Sequence, residues 1–192
     1  MSVTVKQSDS QQCDSTDGDR SLAVRTSGLC LRLDDKPILK DINLTVPTGQ
    51  TVALLGANGA GKSTLLKVLA TFMLPSSGKL ELFGSPVGAN SGKVRSQIGI
   101  ISHQPMLYRD LSAMENLIFF GRLYSVANPR KRGQEMLAMV GLSNRADDAV
   151  KTLSRGMIQR VSIARALMHD PSLLLADEPF DGLDVPSTNA LE

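Results

Sequence analysis

With 192 residues, 42% of them hydrophobic, the chain is long enough to bury a core of its own in one domain, or in one domain with a subdomain. Its formal net charge of +2 is too small to support electrostatic binding of nucleic acid, and its two cysteines, Cys13 and Cys30, furnish neither a disulfide framework nor a four-cysteine zinc site. No stretch approaches the roughly 18 apolar residues of a membrane span, and the N-terminus lacks the apolar core of a secretory signal. The composition therefore suggests a cytosolic protein that reaches a membrane only through a partner.

Residues 1–21 are rich in Ser, Asp and Gln and are expected to stay disordered. Structure should begin near Leu22, where "LCLRLDDKPILKDINLTV" combines β-type alternation with a turn at Asp34 to Pro37 and reads as an antiparallel hairpin. "TVALLG", Thr51 to Gly56, is a nearly continuous apolar run and suits a strand buried on both faces. "STLLKVLATFML" follows with Leu65, Leu66, Leu69 and Phe72 or Met73 at helical spacing, closed by Pro75. From about 94 to 150 the chain reads mostly as helices, with "SAMENLIFFGRLYSV" and "KRGQEMLAMVGL" the clearest, and "SLLLAD", Ser172 to Asp177, returns to a buried strand.

Chemistry concentrates in the turn after the first buried strand. "GANGAGKST", comprising Gly56, Ala57, Asn58, Gly59, Ala60, Gly61, Lys62, Ser63 and Thr64, fits G-x-x-x-x-G-K-[ST]. Glycines there let backbone N–H groups converge on phosphate oxygens while the helix N-terminus adds its positive dipole end. Lys62 would reach the β- and γ-phosphates of ATP, and Ser63 would ligate Mg²⁺. The second apolar strand ends in Asp177 and Glu178. Asp177 would hold Mg²⁺ or its waters, and Glu178 would polarise the attacking water. Two adjacent acids at a strand end also occur at ordinary strand exits, so their weight comes from the phosphate-binding turn upstream.

Between these motifs, "LSRGMIQRVSIARALMHDPSLLLADEP" resembles the signature helix and Walker B strand of ATP-binding cassette (ABC) proteins. Ser154, Arg155, Gly156 and Met157 stand where that family usually has Ser-Gly-Gly-Gln. Gln104 in "ISHQPMLY" matches the Q-loop glutamine, and "FDGLD", Phe180 to Asp184, matches the D-loop. The resemblance, over about residues 22–192, implies an α/β P-loop ATPase cassette with an antiparallel β region. Its core would comprise 22–93 and 161–192, and its helical subdomain about 94–160. Gln104 would contact Mg²⁺ and attacking water, and Ser154 and Gly156 would hold the γ-phosphate of ATP bound to a second subunit in a head-to-tail dimer. Ser154 also suits the N-cap of the helix that follows, which a plain core helix would use equally. Arg155 and Met157 depart from the family pattern, as does Leu33, which stands where an aromatic residue commonly stacks on adenine.

The same resemblance implies a separate membrane permease as partner, placing the chain at the cytoplasmic face of the membrane. Within the family the wording is most similar to ATP-binding subunits of haem exporters used in cytochrome c maturation, with drug and polysaccharide exporters as the alternative. A non-transport cassette protein is the competitor from another class. The family continues past the D-loop with a helix, a further strand and a switch histidine, whereas this sequence ends eight residues after Asp184. A truncated C-terminus lacking that strand and histidine is therefore expected, which leaves open an ATP-binding fragment without independent hydrolysis. His103 and His169 both precede the D-loop and have no ligand cluster around them. Arg130, Lys131 and Arg132 read as a solvated helix start, and Phe119, Phe120 and Tyr124 as core or coupling-surface residues.

Overall fold

The computed structural model describes residues 4–7, 22–88, 91–102 and 104–177, which fall into two units, Met1–Arg95 and Ser96–Glu192. In the first unit, β2 (Leu22–Leu33) and β3 (Lys36–Pro47) form the expected antiparallel hairpin, with Leu33 opposite Lys36. Asp34 and Asp35 between them have φ of 45° and 62°. Two left-handed residues in succession match the twist of the flanking strands, and Asp tolerates that region better than most side chains. β5 (Ser77–Leu82) pairs antiparallel with the other edge of β2, and the short β6 (Ser85–Pro86) completes the order β3-β2-β5-β6. Leu29, Leu31, Leu39, Leu80 and Leu82 from these strands are buried, as are Leu65 and Val68 from the helix α1 (Lys62–Leu69).

The strand before the phosphate-binding turn departs from expectation in two ways. β4 (Val52–Leu55) pairs antiparallel with β1 (Thr4–Gln7), Thr4 opposite Leu55 and Gln7 opposite Val52. Part of the stretch expected to be disordered is thus a strand: β4 offers unpaired N–H and C=O groups, and "TVKQ" begins with two β-branched residues suited to an extended partner. β4 is also not buried on both faces, since Val52 and Leu54 are half-buried and Leu55 is 52% exposed. Among the described residues no strand other than β1 pairs with it. α1 ends earlier than its apolar spacing predicts. Ala70 caps it and Thr71 turns at φ 61°, so Phe72 is 56% exposed instead of continuing the buried face of Leu65, Val68 and Leu69.

A one-turn helix, α2 (Gly92–Arg95), closes the first unit, with Arg95 Nε donating to Thr71 Oγ1 at 3.0 Å. In the second unit, β7 (Ile98–Ile101) lies parallel to β8 (Leu173–Ala176), Ile98 opposite Leu173 and Ile101 opposite Ala176. β7 interrupts the stretch expected to be mostly helical; "IGII" is a short apolar run with three β-branched residues.

The expected helices are present. α3 (Ala113–Leu123) starts at a capping box in which Ser112 accepts from the Glu115 amide and the Glu115 carboxylate accepts from the Ser112 amide. α4 (Pro129–Met139) starts with Asn128 as cap and Pro129 at its first position, and α5 (Arg155–Ala166) with Ser154 as cap. They pack around Leu117, Leu137, Val161, Ala164 and Met168. Close approach is made possible at Gly121, where a Cβ would lie 2.7 Å from Pro129 Cβ and 2.8 Å from Met168 Cε. The buried Asn116 is satisfied by the backbone of Tyr108 on both sides and by the Ser112 carbonyl.

Candidate functional site

The phosphate-binding turn is built as its sequence requires. β4 delivers Gly56, and the chain then passes through Gly59 (φ 80°) and Gly61 (φ 90°) into α1. A Cβ on Gly61 would sit 3.1 Å from Leu39 Cδ2 and 3.3 Å from the Ile38 carbonyl, so glycine there answers both a left-handed backbone and contact with β3. The Ala60 amide donates to the Ala57 carbonyl at 3.1 Å, closing a tight turn. No side chain caps the N-terminus of α1. The positive end of the helix dipole, flanked by glycine amides, is thus left to an anion. Lys62 Nζ folds back onto the loop, donating to the carbonyls of Gly56 at 2.8 Å and Ala57 at 3.0 Å. Gly56, Ala57, Asn58 and Gly59 are exposed, as is Ser63, the next residue of the motif.

In the second unit, parallel pairing brings two of the expected residues to one end of a strand pair. Asp177 directly follows β8, and its amide donates to the Ile101 carbonyl at the end of β7 at 2.9 Å. Gln104 leaves β7 from that same end, in a turn closed by Ser102 Oγ donating to the Gln104 carbonyl at 2.7 Å. Asp177 is half-buried and Gln104 exposed. The Gln104 amide and the Asp177 carboxylate at this end of the second unit, and separately the Ser63 hydroxyl in the first unit, are hard-oxygen donors of the kind Mg²⁺ prefers. Among the described residues no group of three or more His, Cys, Asp or Glu gathers as a metal site. That is compatible with Mg²⁺, which takes few protein ligands and relies on waters and substrate phosphates.

The signature segment lies at the start of α5. Ser154 Oγ accepts from the Met157 amide at 3.3 Å, and Ser154 and Arg155 are exposed. Met157, the departure from the usual glutamine, packs partly buried against the helical core. Glu178, the D-loop residues Phe180 to Asp184 and His103 lie outside the described residues.

The surroundings of these groups depend on contacts distant in sequence. His169 does have partners: its ring stacks on Tyr124 with centroids 3.9 Å apart and 7° between planes, and its Nε2 lies 3.1 Å from the Ile98 carbonyl. Burial lowers its pKa from the usual 6.5. Arg165, on α5, is buried, and its Nη2 donates to the Ile100 carbonyl at 2.7 Å. Phe119 is 42% exposed and makes edge contacts with Tyr108 and Phe120, so it belongs to a surface aromatic cluster and not to the core.

The family model described as "ABC transporter" matches residues 39–181. The chain belongs to the ABC transporter family, as an ATP-binding cassette with the P-loop fold. It is 40% identical over 156 residues to the linearmycin resistance ATP-binding protein LnrL of Bacillus subtilis (strain 168), covering 80% of this chain and 50% of that protein. It is 37% identical over 165 residues to Nod factor export ATP-binding protein I of Rhizobium sp. (strain N33), covering 85% and 54%. Among solved structures, the post-hydrolysis dimer of the ATP-binding cassette MJ0796 bound to ADP and Pi superposes with a TM-score of 0.80 at 29% identity, covering 88% of this chain and 79% of that one. The chain spans about half the length of the curated relatives it matches.

Proposed function

We propose that this chain is the ATP-binding and ATP-hydrolysing part of a small-molecule exporter, working as a dimer on a separate membrane permease at the cytoplasmic face of the membrane. The observation that carries the reading is the turn from Gly56 to Lys62: an uncapped helix N-terminus, two left-handed glycines and a lysine ammonium poised on adjacent carbonyls. In this reading Lys62 exchanges those carbonyls for β- and γ-phosphate oxygens. Ser63, Asp177 and Gln104 are the residues that would hold Mg²⁺ or its waters, and the bound ion would neutralise charge developing on the phosphates. Ser154 and Gly156 would meet the γ-phosphate of the other subunit's nucleotide. The division into a core of 22–93 and 161–192 and a helical subdomain of about 94–160 is part of the same proposal.

Names of relatives, which print linearmycin resistance and Nod factor export, favour the drug-exporter alternative over haem. Haem export, expected from local wording, has no support from these relatives. No described helix is long and apolar enough to cross a membrane, and the permease partner is part of the same proposal.

Glu178 is assigned the polarisation of attacking water. Glu178→Gln, measured by nucleotide binding and phosphate release, should keep ATP affinity while slowing turnover; unchanged turnover removes Glu178 from catalysis. Leu33, 40% exposed at the tip of the β2–β3 hairpin, offers adenine an aliphatic platform without aromatic stacking, worth about 1 kcal/mol. Affinities for ATP and GTP should therefore differ by less than about tenfold, and a larger preference for ATP would show that adenine is read elsewhere.

A further inference from the structure

Side chains close the outer edge of β7. The carbonyls of Gln97 and Ile101 face β8, accepting from the amides of Leu173 and Asp177 at 3.1 and 2.9 Å. Those of Ile98 and Ile100, out of phase by one residue, face the opposite edge. Arg165 and His169 meet these two carbonyls, at 2.7 and 3.1 Å. The Arg165 guanidinium also lies over the Phe120 ring, 5.4 Å from its centroid, while its buried Nε has no hydrogen-bond partner among the described residues. Burying a cation with one donor unsatisfied is costly, and an apolar side chain would fill the same space without that cost. What arginine adds is a directed, charge-assisted bond from α5 to β7. Gly99 makes the approach possible, because a Cβ there would come within 2.7 Å of the Ala166 carbonyl.

α5 begins directly after Ser154, and β7 leads into the turn that carries Gln104. We propose that Arg165 is a positioning residue. By binding the Ile100 carbonyl it fixes the signature helix to the strand that delivers Gln104, so that Ser154 and Gln104 move as one body. The inference rests on the reading in which Gln104 attends hydrolysis.

Arg165→Met tests it by two readouts on the full chain. Loss of the bond should speed amide hydrogen exchange at 98–102 by about tenfold and leave α3 and α4 unchanged. It should also lower kcat for MgATP by about tenfold with KM within about twofold, and cause no further loss when combined with Gln104→Ala. A merely structural role would spread faster exchange over the whole unit and add to the Gln104→Ala loss. Either result, or wild-type exchange at 98–102, overturns the proposal. If Arg165→Met shows no cooperative melt, Arg165→Gln is measured in its place, and failure of both to fold overturns positioning in favour of a structural clamp. Failure of the underlying reading shows separately, as no hydrolysis by the wild-type chain or an unchanged kcat in Gln104→Ala. The exchange measurement then still decides whether Arg165 holds β7.

Discussion

Lys62→Ala is expected to lower kcat/KM for MgATP by about 10²- to 10³-fold, the usual cost of removing a group that meets charge developing in the transition state. Among the described residues the ammonium donates to the carbonyls of Gly56 and Ala57, at 2.8 and 3.0 Å. Those groups belong to an exposed loop, so their loss removes little from the core. Alanine is an excellent residue for the first position of α1, and the melting temperature should stay within about 2 °C of wild type. Binding of a fluorescent ATP analogue, phosphate release and a thermal melt on the same preparation separate loss of function from loss of fold. Retained hydrolysis would show that phosphates are held elsewhere.

Gly78→Ala is expected to destabilise the first unit by about 3 kcal/mol or more, lowering the melting temperature by roughly 6–12 °C. Gly78 has φ 86°, and a Cβ there would lie 2.3 Å from the Gly28 carbonyl oxygen, 2.5 Å from its carbon and 2.6 Å from Leu29 Cα. All three obstacles are backbone of β2, so no rotamer change relieves the clash and β5 must move away from the strand it pairs with. Gly84→Ala is the control. Gly84 also has a positive φ, 72°, but nothing lies within 4 Å of its added Cβ, so only the left-handed strain of about 1–2 kcal/mol applies. Equal melting temperatures for the two variants would show that the close crossing of β2 and β5 does not limit stability. The loss should reach the phosphate-binding turn as well, because Gly61 rests against Ile38 and Leu39 of β3 in the same hairpin sheet.

Features fixed by local chemistry were readable from the sequence. The β2–β3 hairpin follows from alternation around Asp34 and Asp35, the phosphate-binding turn from glycine spacing before a lysine, and the α5 cap from Ser154 ahead of a helix. What escaped reading depends on partners distant in sequence. Thr4–Gln7 becomes a strand because β4 offers it an edge, and the two β-branched residues Thr4 and Val5 are too short a signal in a Ser-, Asp- and Gln-rich tail to predict that pairing. "TVALLG" reads as buried on both faces and "SLLLAD" as a buried strand, yet Leu55 is 52% and Leu174 43% exposed, since an apolar run reports a preference for cover and not the presence of it. Arg165 looks like any helix arginine until β7 places the Ile100 carbonyl in its reach, 65 residues away in sequence. His169, similarly, is isolated in sequence and stacked on Tyr124 in space.

Family membership and the geometry of Gly56 to Lys62 make nucleotide binding the central claim, and titration calorimetry of the purified chain with MgATP tests it most directly. Saturable binding of one ATP per chain is expected, markedly weakened by Lys62→Ala in a variant that still melts cooperatively. No heat of binding from a folded chain, or undiminished binding after Lys62→Ala, would contradict it.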